Sequence, residues 1–234
     1  MTSTAIERID LTSPPSSPPP SPSPSVAARS GAVVVQVGQE RRAYVLHKAT
    51  IIHHSGWFAD HLRENPDERI ITPPKMGSAG FNLFVDWIYG HKNLNAIDND
   101  IGHGQAPLIY RAYVLADKLV VPKMKRAAFD IIFPKLQYVY PPYRVVIYAF
   151  KNLPENDPLL TLLVDSQTVN GGTTRVLDGD DKKFVRELPQ QFLTEIMLRL
   201  SALGQVKKEE AVELQRANYD APVPWKKRKL IELD

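Results

Sequence analysis

Four of the chain's six histidines lie close together, and three of them, His47, His54 and His61, recur every seven residues, with His53 beside the second. Neutral imidazoles are good metal ligands, and on one unbroken helix this spacing would gather them on a face. Ser55-Gly56 interrupts that face, and no carboxylate is spaced to complete three or four ligands. The expectation is therefore surface polar positions and no metal. Asp178-Gly179-Asp180-Asp181 lacks the alternating ligands and terminal Glu of a calcium loop, which leaves a solvated acidic turn. Ser55 has histidines nearby in sequence but neither a nucleophile elbow nor an orienting acid. Neither common glycine-rich phosphate loop occurs. No catalytic residue and no cofactor are expected, and the chain reads as non-enzymatic.

The densest charge is at the end of the sequence, Lys226-Lys227-Arg228-Lys229. Such a run, flanked by Pro222 and Pro224, fits an acidic import-receptor groove and reads as a nuclear localisation signal, with a solubilising tail as the alternative. Nucleic-acid binding through it alone would be non-specific and salt-sensitive, and no recognition helix or zinc finger accompanies it. Nucleus, cytoplasm or both are the expected locations. Leu230-Ile231-Glu232-Leu233-Asp234 and Ile9-Asp10-Leu11-Thr12 each resemble SUMO-interacting strings.

The elements that must position these residues come from 234 residues with 29 Lys+Arg, 26 Asp+Glu and 43% hydrophobic side chains, enough for a proper core. The absence of cysteine excludes disulfides, thiolate zinc sites and cysteine nucleophiles. No run approaches the roughly 20 apolar residues of a membrane helix, and no apolar signal core opens the sequence, so a soluble intracellular chain is expected. Seven of the 20 prolines lie between Pro14 and Pro24. Residues 1–30 are therefore expected to be a disordered arm, with Ser13-Pro14, Ser17-Pro18, Ser21-Pro22 and Ser23-Pro24 as proline-directed phosphorylation sites.

From Gly31 the pattern changes. Val33–Val37 and Arg42–Leu46 predict a β-hairpin, followed by a helix from His47 to Ile52 and another after Ser55-Gly56. Arg69–Thr72 predicts a short strand. Phe81, Phe84, Val85 and Ile88 mark one helix face, and Leu108 to Leu119 repeats that spacing. A third helix is predicted from Lys123 to Phe133, and an exposed loop from Asn93 to Gln105. Beyond Pro134, residues 143–150, 159–164 and 190–203 read as helices. The class is α+β.

A series of blocks, in order, carries a family resemblance. Val35-Gln36-Val37-Gly38 leads to Tyr44-Val45-Leu46-His47-Lys48 and Ser55-Gly56-Trp57-Phe58. Phe81-x-x-Phe84-Val85-x-Trp87-Ile88-Tyr89-Gly90 and Tyr113-x-Leu115-Ala116-Asp117-Lys118-Leu119 follow. Together they resemble a BTB/POZ domain over residues 31–133. Ala149–Asp165 and Leu188-Pro189-Gln190-Gln191-Phe192-Leu193 resemble the helical extension of filamentous-fungal members, here residues 134–203, with 204–234 left as a charged tail. The resemblance implies a small β-sheet capped by helical hairpins and then an all-helical extension. It implies protein–protein contact, commonly homodimerisation.

On that reading the partner or dimer interface is expected at His47, Lys48, Ile51, Ile52, Trp57 and Phe58. Many dimeric members pair the Lys of the His-Lys step with an Asp at the start of the first strand, where this sequence has Gly31-Ala32. Members that recruit a cullin ubiquitin ligase often show apolar-x-Glu after the second helix, where this sequence offers Pro66-Asp67-Glu68, or Leu62-Arg63-Glu64 a turn too early. A cullin-type substrate adaptor and a nuclear chromatin or transcription regulator are the alternatives. The first predicts cullin co-purification, the second nucleic-acid binding that falls steeply with salt.

Overall fold

The β-branched run and its partner form the predicted hairpin. β1 (Ala32–Val37) pairs antiparallel with β2 (Arg42–His47), Ala32 opposite His47 and Val37 opposite Arg42. Gly38 takes φ +80°, which costs no Cβ clash, and the Arg41 N–H closes the turn on the Gly38 carbonyl at 3.2 Å. β3 (Ile70–Ile71) lies parallel to β1 on its other side, giving the order β2-β1-β3. This computed structural model describes residues 21–73, 76–91, 94, 106–171, 179–203 and 214–220.

The period of two decides what the sheet buries. Val33, Val35, Val37, Leu46 and Ile71 point inward and are buried. Helices α2 (Lys48–His54), α3 (Gly56–Glu64), α4 (Ser78–Ile88) and α5 (Leu108–Lys118) supply the rest of this core. Phe81 meets Tyr44 edge-on at 4.9 Å and tilts against Phe84 at 5.3 Å, while Phe58 stacks on Phe84 at 6.0 Å. The fold is mixed α+β with helix predominating and one small three-stranded sheet.

The helices beyond α5 share the same core. α6 (Pro122–Gln137) packs on α5, and α7 (Tyr143–Asn152) and α8 (Pro158–Asn170) lie against this pair. α8 buries Leu159, Leu160, Leu162, Leu163 and Val164, which leaves it enclosed on most sides. α9 (Gly179–Phe184) and α10 (Gln190–Leu203) follow, and Phe192 of α10 is fully buried, edge-on to Phe150 at 5.6 Å.

One polar group ties the chain's first half to these later helices. The side chain of Asp157, completely buried, caps α8 by accepting from Leu159 N–H at 2.9 Å. It also accepts from the Tyr113 hydroxyl of α5 at 2.9 Å and from the Lys125 ammonium of α6 at 2.6 Å. Lys125 reaches Asp117 at 2.5 Å and lies over the Tyr113 ring.

Four expectations are corrected. The arm expected to be disordered through residue 30 is helical from Pro24: α1 (Pro24–Arg29) buries Ala27 and packs on α2, where the Ser30 hydroxyl accepts from Ala49 N–H at 3.0 Å. The helix expected to end at Phe133 runs through Pro134 to Gln137, because buried Ile132, Phe133 and Leu136 outweigh the proline's missing N–H. Asn170 also donates to the Leu136 and Gln137 carbonyls at its end. Of the acidic turn expected at 178–181, residues 179–181 instead start α9, Asp178 lying outside the described residues, and buried Asp181 accepts from Tyr143 N–H at 2.9 Å, capping α7. The charged tail returns to the body at 214–220. Tyr219 is buried against Phe129 and Phe133 and donates to Asp165 at 2.7 Å, while Arg216 pairs with Asp130 at 2.7 Å.

Candidate interaction surface

The expected interface residues sit on α2, α3 and the break between them. Ser55 is extended and its hydroxyl plays two parts: it accepts from Phe58 N–H at 3.2 Å, capping α3, and donates to the Leu119 carbonyl at 2.5 Å. Gly56 N–H donates to the Val120 carbonyl at 3.0 Å. A Cβ on Gly56 would stand 2.9 Å from Val120 Cγ1, so only glycine lets the break press against the turn between α5 and α6. Val120 takes φ +53°, strained for a β-branched residue, to make that approach.

The six side chains expected at the interface divide. Ile51 and Phe58 have no exposed surface; both belong to the chain's own core, and this corrects their assignment to a partner. The helical period explains the split, since adjacent α2 positions Ile51 and Ile52 face about 100° apart. Ile52 remains 41% exposed. Trp57 is half-buried, stacked on His61 at 4.9 Å and edge-on to Phe58 at 4.9 Å. His47 Nδ1 lies in hydrogen-bond contact with the Tyr89 hydroxyl at 3.0 Å, and the His47 backbone N–H donates to that hydroxyl at 3.2 Å. The Lys48 ammonium donates to the Pro66 carbonyl at 2.8 Å, so its partner is a turn carbonyl and not a carboxylate.

A second apolar feature was not singled out from the sequence. The register aligns Val45, Val34 and Ile70 across all three strands on the face opposite the core. Val45 is 72% and Ile70 55% exposed, with Val34 between them half-buried. The alternation of β1 and β2 shows that Val34 and Val45 face away from the core. Placing Ile70 beside them needs the parallel pairing of β3, which no local pattern gives.

The histidines are parted among different neighbours. His47 meets Tyr89, His61 pairs with Glu68 at 2.7 Å, His53 lies 3.3 Å from the Ser21 hydroxyl, and the His53 and His54 rings meet edge-on. Among the described residues no group of three or more His, Asp or Glu could hold a metal ion, and no helix is long and apolar enough to cross a membrane. The basic run Lys226–Lys229, both SUMO-interacting strings, Ser13-Pro14 and Ser17-Pro18 lie outside the described residues, as does the expected loop at 93–105 apart from buried Leu94. Neither the family models nor the curated proteins compared with this chain give a match.

Proposed function

We propose that the chain is a non-enzymatic protein–protein interaction module of the BTB/POZ type, and that it forms a homodimer through residues 31–71. The observation that carries this reading is the apolar row Val45–Val34–Ile70 on the open face of the sheet. Three adjacent β-branched side chains facing water gain free energy when a partner covers them, at about 25 cal/mol per Å² of apolar surface removed. The half-exposed Ile52 on α2, which packs beside β2, adds a second apolar contact in the same part of the chain. The sequence blocks support the family, and a small three-stranded sheet in a predominantly helical chain is compatible with it. Import into the nucleus through Lys226–Lys229 belongs to the same reading.

Val45→Asp and Ile52→Asp test the two faces separately. Both positions are exposed, so each variant is expected to keep the wild-type circular dichroism spectrum. Val45→Asp is expected to weaken self-association at least tenfold in sedimentation velocity, the cost of burying an unpaired carboxylate in an apolar contact. If both folded variants associate like the wild type, the interface lies elsewhere and the proposal fails.

A further inference from the structure

Arg144, Ile147, Tyr148 and Lys151 stand at i, i+3, i+4 and i+7, one stripe of α7. That stripe forms one wall of a recess of about 290 Å³, with Tyr148 also packed against the core. Arg111 of α5 forms a second wall, and Phe184, the last residue of α9, with Glu187 in the short 3-10 turn after it, a third. Three cationic side chains therefore converge on the recess against one carboxylate, with Ile147 and Phe184 as apolar lining. Arg111 is close enough for its charge to pull the Tyr148 phenol down against the stronger upward effect of burial.

Arg144 is the informative member. Its Nε is shut off from solvent and has no hydrogen-bond partner among the described residues. A buried N–H without an acceptor costs about as much as a lost hydrogen bond, so natural structures seldom leave one unused. An acceptor bound in the recess would satisfy it. Guanidinium groups match tetrahedral oxyanions through paired N–H donors, and a phosphomonoester carries roughly −1.5 to −2 at neutral pH. Among the described residues that line the recess, cations outnumber carboxylates three to one, which favours that dianion over a monoanionic carboxylate.

We propose that this recess binds a phosphomonoester carried on a small apolar group. The phosphate oxygens accept from Arg144, Arg111 and Lys151, and the apolar group lies on Ile147 and Phe184. The volume falls at the small end of ligand sites, which limits the occupant to a compact molecule or a single phosphorylated side chain. The Ser-Pro steps of the chain's own sequence, such as Ser17-Pro18, are one source of the second kind.

The test is calorimetric titration of the full chain with phenyl phosphate and, separately, with a peptide spanning residues 10–26 phosphorylated on Ser17. Saturable binding of either probe is expected, and the arm that binds identifies the source. Arg144→Ala should weaken that binding roughly tenfold or more, and Arg144→Lys should restore part of it. Without ligand, Arg144→Ala should melt no lower than the wild type, because it removes a donor that has no partner among the described residues. Arg63→Ala, at an exposed cation of α3 outside the recess, should leave binding unchanged. Absence of saturable binding by both probes at millimolar concentration overturns the proposal, and so does full binding by folded Arg144→Ala. If Arg144→Ala does not fold, undiminished binding by a folded Arg144→Gln variant overturns it equally.

Discussion

Asp157 accepts three hydrogen bonds from three elements with no exposed side-chain surface of its own, so removing it leaves donors stranded in a dry interior. Asp157→Ala is expected to cost about 3 kcal/mol in urea unfolding, in the range measured when one partner of a buried ion pair is deleted. The same cluster sets an alkaline limit. Burial, reinforced by the Asp157 charge and hydrogen bond, holds the Tyr113 phenol far above its ordinary value. Burial alone pulls the Lys125 ammonium down, but Asp157 and Asp117 outweigh it and leave it raised. Both groups keep their protons in the folded chain where the unfolded chain, with ordinary values near 10, loses them. Their stabilisation is complete below about pH 9.5 and drains away as pH rises beyond 10, and Tyr113→Phe should flatten that slope. The Asp157-Pro158 pair is legible as a helix start, because a capping side chain and a proline in the first turn favour one. Its other partners are not, since Tyr113 and Lys125 lie 44 and 32 residues away. At Gly56 the sequence shows a break but not the close approach of Val120; Gly56→Ala should cost about 1–3 kcal/mol by overpacking that contact.

At the scale of elements, the strands and most helices follow from period and β-branching. The hairpin, α4, α5 and α10 stand where their spacing predicts them; α4 buries one consistent face, while α5 is buried on most sides from Ala112 to Ala116. The departures come where tertiary contacts override local preference. α6 keeps Pro134 in its interior, with the Asp130 carbonyl deprived of its usual donor. Pro134→Ala should restore that hydrogen bond and raise stability by about 1–2 kcal/mol, the helix gain less the entropy the unfolded chain recovers. A fall in thermal midpoint would show that the surroundings depend on the proline ring. α1 was obscured by the Ser/Pro composition around it, although Ala27 and Val26 form a short apolar step. The return at 214–220 was obscured by charge, although Leu214 and Tyr219 are the large apolar side chains that anchor it.

For the molecule as a whole, the buried residues form one continuous cluster from Val33 to Tyr219, so the later helices stabilise the earlier ones. The faces outside that cluster are where a partner can act, and the sheet's outer row is the most apolar of them in residues 31–71. The sequence suggests an interface at Ile51, Ile52 and Phe58 among others; Ile51 and Phe58 belong to the core, while Ile52 stays partly exposed. A hydrophobic residue's type does not tell whether its own chain or another covers it. The central claim is that the chain pairs with itself, and light scattering coupled to size exclusion on the full chain, over a tenfold concentration range, tests it most directly. A mass of twice 26.3 kDa, falling toward one chain only on dilution or in Val45→Asp, is the predicted result. A constant mass of 26.3 kDa at every concentration would contradict it.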